Sequence, residues 1–174
     1  SILKDYQIVC ESREASLLGR KEVLTGKAKF GIFGDGKEVA QVAMARTFKH
    51  GDFRSGYYRD QTFMMAIGEL TLDALFAQLY STTELDKEPA SGGRQMNNHF
   101  ATRSLDNDGN WKNLLNQYNS VSDISPTGSQ MPRLLGLGHA SKVYRNNKNI
   151  LSTNFSNNGD EIAYGTIGNA STSE

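Results

Sequence analysis

Cysteine is nearly absent from this 174-residue chain: Cys10 stands alone, so neither an internal disulfide nor a multi-cysteine zinc site can form. A single thiol fits a reducing compartment, and a cytoplasmic location is the expectation. Histidine is scarce as well, and His50, His99 and His139 make no His-x-x-x-His pair, which argues against a zinc hydrolase. Excess charge of either sign is missing. The 19 basic and 19 acidic side chains balance, twelve of each through Lys87 and seven of each after it. With neither half basic, sequence-independent nucleic-acid binding by phosphate neutralisation is disfavoured. No apolar run approaches the roughly 20 residues of a membrane span, and charges throughout 1–24 leave no signal-peptide centre. A Gly-x-Ser-x-Gly elbow after a predicted strand is lacking too, so a Ser-His-Asp hydrolase has no signature here.

What remains is a modest globular pattern of α/β type, with 37% hydrophobic residues. Residues 4–27 place Tyr6, Val9, Leu17, Leu18, Val23 and Leu24 at helical intervals among charges, with Gly26 as a stop, predicting an amphipathic, exposed helix within an N-terminal extension over 1–30. A second helix is signalled by Asp35 as N-cap and Glu38 as the capping-box acid, followed by Val39, Val42, Ala43 and Phe48. Residues 60–67, with a core Met64-Met65 pair, and 70–80, capped by Thr71, read as two consecutive helices separated by Gly68. From 81 to 122 the pattern dissolves into Gly, Asn, Asp and Ser, a loop-rich segment long enough to call for a function or disorder. Ser125-Pro126 then opens a predicted helix to Arg145, whose Gly136, Gly138 and Ala140 suit close contact. Residues 161–167 read as a buried strand of a parallel sheet ending at a tight turn. The last residues, Ser171 to Glu174, look like a helix start, so the domain is expected to be incomplete.

Three places carry polar chemistry. Gly168-Asn169-Ala170-Ser171 follows a strand, and small residues there let backbone N–H groups approach an anion; an ordinary strand-to-helix turn is the plain alternative. Tyr57-Tyr58-Arg59-Asp60 offers a guanidinium beside phenol hydroxyls, suited to two-point phosphate binding, or else a surface Arg paired with Asp60. His99 sits in the polar loop, where proton handling or substrate contact competes with simple solvation, and it is the candidate catalytic group.

In order and spacing these segments resemble one family, the alpha subunit of the decarboxylating component of thiamine-diphosphate-dependent 2-oxoacid dehydrogenases. The resemblance is carried by Gly36-Lys37-Glu38-Val39, Gly51-Asp52 with Tyr57-Tyr58-Arg59-Asp60, Leu75-Phe76-Ala77-Gln78, Gly93-Arg94-Gln95-Met96 with His99, Ile124-Ser125-Pro126 with Gln130, and Gly168 through Glu174. It covers nearly the whole chain but is weak before Gly31 and across 104–120. The Gly-Arg-Gln-Met tetrad is more similar to branched-chain (2-oxoisovalerate) members than to pyruvate members, where Gly-Gly-Ser-Met is usual.

The resemblance implies a single domain over 1–174 that grips the diphosphate end of thiamine diphosphate, while a beta subunit or fused beta region activates the aminopyrimidine. Tyr58 and Arg59 would contact the diphosphate, Ser125 would approach the cofactor, and the backbone at Thr127 would meet the aminopyrimidine. Gly168, Ala170 and Ser171 complete the cofactor turn. Potassium would be held by Ile124, Pro126, Ser129 and Gln130, an oxygen-only set that fits a hard cation. Magnesium would fall to Asn169, where the family has an acidic residue, so the metal loses a carboxylate; its other family ligands lie beyond Glu174.

The implied reaction is oxidative decarboxylation of a small 2-oxoacid, with acyl transfer to the lipoyl arm of an acyltransferase in a multienzyme complex. The chain is read as the N-terminal part of that protein, inactive alone, with an open sheet edge favouring an oligomer. A pyruvate or acetoin dehydrogenase alpha subunit is the alternative enzyme. A non-catalytic scaffold that binds no cofactor is the alternative outside enzymes.

Overall fold

The computed structural model describes residues 1–150 and 154–173; Glu174, which closes the predicted cofactor turn, lies outside them. Two compact units are formed, one from residues 1–47 and 58–100, the other from 48–57 and the described residues after 100. Among the described residues are five α-helices and three parallel β-strands, the helix-rich α/β class expected. None of these helices is long and apolar enough to cross a membrane.

The first unit is helical: α1 (Ile2–Leu24), α2 (Glu38–Ala45), α3 (Gln61–Ile67) and α4 (Leu72–Leu79). Ser1 Oγ accepts from Lys4 N at the start of α1, and Gly26, at φ +76°, lies just past its end. The buried face of α1 is small and polar, with Ser12, Ala15, Ser16 and Gly19 at helical spacing. That face receives Gln61, whose Nε2 lies 3.0 Å from Ser12 O, 3.0 Å from Ser12 Oγ and 2.8 Å from Ser16 Oγ. Ile8, Val42 and Met65 form an apolar cluster beside it, and Met64 is buried as well.

The expected cap of α2 is corrected. Asp35 is drawn instead to Arg20 of α1 at 2.6 Å, and the helix starts after Lys37 without a side-chain cap. Glu38 still turns back, accepting from Gly36 N at 2.9 and 3.0 Å, so the acidic half of the capping box survives with a shifted partner. α3 and α4 follow the prediction: Gly68 ends the first at φ +85°, and Thr71 Oγ1 accepts from Ala74 N at 3.1 Å to start the second.

The second unit centres on a sheet of order β2-β1-β3, with β1 at Phe53–Ser55, β2 at Asn119–Val121 and β3 at Ala163–Gly165. Phe53 pairs in register with Asn119 on one side and Ala163 on the other. β2 falls inside the segment read as loop, which also holds a Leu105–Trp111 bridge and a 3-10 turn at Leu114–Asn116. α5 (Gln130–Asn146) packs on β1 and β3.

Three further expectations change here. α5 begins five residues later than Ser125-Pro126, because Gly128 takes φ +76°, outside the helical region, and Ser129 N closes a turn on Pro126 O at 3.2 Å. Gly136 and Gly138 face open space rather than a close neighbour. The strand predicted over 161–167 is shorter and lies at the sheet margin, with Ile162 55% and Ile167 38% exposed. Glu161 is pulled out of it by Ser141 Oγ and Ser156 Oγ, both at 2.9 Å.

Candidate functional site

All three strands run in parallel, so their carboxyl ends share one edge of the sheet, the edge at which ligands of open α/β sheets bind. β1 leads to Gly56-Tyr57, β2 to the turn of Ser125–Ser129, and β3 to Gly168–Ser171.

Arg54 of β1 ties two of these ends together. Its Nη1 and Nη2 each meet an Asp123 carboxylate oxygen at 3.1 Å, Ser120 Oγ lies at 2.6 Å, and Tyr57 O accepts at 3.1 Å. Both charged side chains are 1% exposed, and the bidentate geometry compensates for taking them out of water. Gly56 is required beside this pair, since a Cβ there would collide with the guanidinium. The third end is fitted similarly: a Cβ on Gly168 would stand 2.7 Å from Tyr57 Oη and 3.4 Å from Ser171 Oγ.

Past Gly168 the chain makes a 3-10 turn over Ala170–Ser173, closed by Thr172 Oγ1 on Asn169 O at 2.6 Å and Ser173 Oγ on Ala170 O at 3.0 Å. N–H groups at such a start have no partner within the turn, which suits an anion. Asn169 and Ala170 are exposed, whereas Gly168 and Ser171 are half-buried.

The predicted potassium residues lie around the Ser125 turn. Ser125, Pro126 and Thr127 are exposed, Ile124 and Ser129 half-buried, and Gln130 buried. Gln130 Nε2 donates to Thr166 O at 2.8 Å, which assigns the amide's orientation and turns Oε1 the other way. Ser129 precedes α5 without a side-chain hydrogen bond to cap it, so its hydroxyl is not spent on the helix. This donor set, two side-chain oxygens with the Ile124 and Pro126 carbonyls, is neutral and hard and fits a monovalent cation in kind. Among the described residues no three of His, Cys, Asp and Glu gather as a metal cluster. Asn169 fits magnesium less well, offering an amide oxygen without charge.

Within the helical unit, Tyr58, Arg59 and His99 come together. The Tyr58 and His99 rings stack at 6.1 Å with 17° between planes, and the Arg59 guanidinium carbon lies 5.7 Å from the Tyr58 ring centroid. The Arg59 backbone is held by Gln41 Nε2, which donates to its carbonyl at 2.8 Å, while Gly34 packs so closely there that any Cβ would collide.

His99 is not the solvated loop histidine that its surroundings in sequence favour: it is 2% exposed. Its Nδ1 lies 3.1 Å from Asn97 O, a carbonyl that can only accept, so this nitrogen carries the proton of that hydrogen bond. Its carbonyl accepts from Gln78 Nε2 at 2.7 Å.

Sequence reasoning missed Glu88, which builds this loop. Buried at 1% exposure, its carboxylate accepts from Ala90 N at 2.9 Å, Ser91 N at 3.0 and 3.1 Å, Ser91 Oγ at 2.6 Å and Gly93 N at 2.9 Å. An acid placed before Ser91-Gly92-Gly93 was the available signal, since backbone N–H groups in such a turn need an acceptor. Arg54 and Asp123 were also missed.

A family model described as Dehydrogenase E1 component matches residues 13–174. No curated protein matches the chain.

Proposed function

Because the chain belongs to the dehydrogenase E1 component family of thiamine-diphosphate-dependent 2-oxoacid dehydrogenases, we propose that it carries the half-site for the cofactor's diphosphate, as in an alpha subunit. The observation that supports this most is the Tyr58–Arg59–His99 group: a half-buried guanidinium, rigid through its own backbone, beside a phenol and an imidazole.

In this reading Tyr58 and Arg59 hold the diphosphate through a hydroxyl and a two-point guanidinium contact. Gly168, Ala170 and Ser171 offer backbone N–H groups suited to a phosphate, and Ser125 and the Thr127 backbone would orient the cofactor. Asn169 offers magnesium its amide oxygen, and Ile124, Pro126, Ser129 and Gln130 keep the Ser125 turn ordered around potassium. When bound, the cofactor supplies the electron sink for decarboxylation. His99 is the group placed to exchange a proton with the substrate, its ring fixed by the hydrogen bond to Asn97 O.

The substrate we propose is a branched-chain 2-oxoacid, on the strength of Gly93-Arg94-Gln95-Met96. The partners are a beta subunit or fused beta region and a lipoyl-bearing acyltransferase. Comparing 2-oxoisovalerate with pyruvate and acetoin as substrates of the reconstituted assembly tests this preference. A second reading, a scaffold that binds no cofactor, is favoured by the lost carboxylate at Asn169.

Arg59→Ala decides between them. In the assembly it should weaken thiamine diphosphate by about 2–3 kcal/mol, roughly 30- to 150-fold, the loss of a charge-assisted contact. Saturation at the wild-type concentration would remove Arg59 from the site.

A further inference from the structure

The helical unit contains a cavity of about 400 Å³ that the cofactor reading does not use. Its wall comes from the loop after α1, the end of α4 and residues 93–97. Lys27, Lys29 and Arg94 stand on it, and no carboxylate does among the described residues. Lys29 and Arg94 have no ion-pair partner among those residues. Lys27 reaches Glu22 at 3.3 Å, but Glu22 also accepts from Tyr80 Oη at 2.6 Å, so the nearest acid is already bound twice.

A second, independent feature lies in the same wall. Gln78 is 3% exposed, and its Nε2 is committed to the His99 carbonyl, an acceptor only, which assigns the amide's orientation. Its Oε1 is buried and accepts no hydrogen bond. A buried acceptor without a donor is costly and calls for a partner. Three cations therefore border a space of ligand-site size, and one unmet acceptor is buried in a residue of its wall.

We propose that this cavity binds a small anion, such as hydrogen phosphate or a phosphate monoester. The charge faces Lys27, Lys29 and Arg94. Neither the cofactor nor Arg59 takes part.

Inorganic phosphate is the probe, titrated calorimetrically into the chain at fixed ionic strength. Wild type should show a saturable site that Lys29→Gln with Arg94→Gln weakens about tenfold or more, the loss of two charged contacts. Exposed Lys4 and Lys142 lie elsewhere, and Lys4→Gln with Lys142→Gln should leave binding intact. Arg59→Ala should also leave it intact, which separates this site from the cofactor's. Absence of saturable binding would overturn the proposal, as would equal loss in the control pair. Loss on Arg59→Ala with retention in the Lys29/Arg94 pair would assign the phosphate to the diphosphate site and overturn it equally. All the substituted side chains are cations at the surface or half-buried, and circular dichroism checks that each variant keeps its helices.

Discussion

Arg54 holds its charge inside the sheet because Asp123, Ser120 and the Tyr57 carbonyl surround it with acceptors. Removing the acid should be worse than removing the pair: Asp123→Ala is expected to cost about 3–5 kcal/mol in urea unfolding, since an uncompensated buried charge remains. Gly56→Ala should cost about 1–3 kcal/mol by forcing the guanidinium aside. Neither dependence was visible in sequence, because Arg54 and Asp123 are separated by 69 positions and no local pattern joins them. Tyr58 and Arg59, by contrast, stood out as an adjacent phenol and guanidinium. At Glu22 the hydrogen bond from Tyr80, opposed by burial and assisted by Lys27, lowers the carboxyl pKa below its ordinary value. The carboxylate thus stabilises the fold above its unfolded pKa, and that contribution is lost as pH falls through the folded value. Tyr80→Phe should make urea stability decline less steeply below about pH 4.5, the ordinary range of a Glu carboxyl.

Helices announced themselves where the ends were marked. Thr71 before an apolar face and Gly68 after another are local signals, and α3 and α4 obey them. Thr71→Ala should lower stability by about 0.5–2 kcal/mol in the same unfolding experiment, the usual worth of an N-cap. Two of the three strands were hidden for the opposite reason. β1 and β2 have three residues each, and Arg54, Asn119 and Ser120 are buried through hydrogen bonds rather than apolarity, so no hydrophobic run marks them. α5 was found but started too early, because a Pro in the first turn outweighed Gly128, whose φ of +76° delays the helix. That delay leaves the Ser129 hydroxyl uncommitted to the helix, and Ser129→Ala should change the melting temperature little in sodium. In potassium the wild type should melt higher than the variant. Equal melting in both salts would count against the cation turn.

At the scale of the molecule, each compact unit carries its own candidate residues: Tyr58, Arg59 and His99 in the helical one, the Ser125 and Gly168 turns in the one built on the sheet. Family membership was legible from the spacing of these motifs, and the match over residues 13–174 agrees with it. The parallel sheet explains why three turns so far apart in sequence, after Ser55, Val121 and Gly165, share one edge: each follows a strand's carboxyl end. Asn169 is the residue on which the account depends most, because in the proposed reading it would offer the metal an oxygen without charge. The direct measurement is calorimetric titration of the chain with thiamine diphosphate, with and without magnesium, for wild type and Asn169→Asp. The account predicts binding that requires magnesium and tightens by about tenfold or more in the Asp variant, since the metal gains a carboxylate. Heats that are the same without magnesium, and the same with Asn or Asp at position 169, would contradict it.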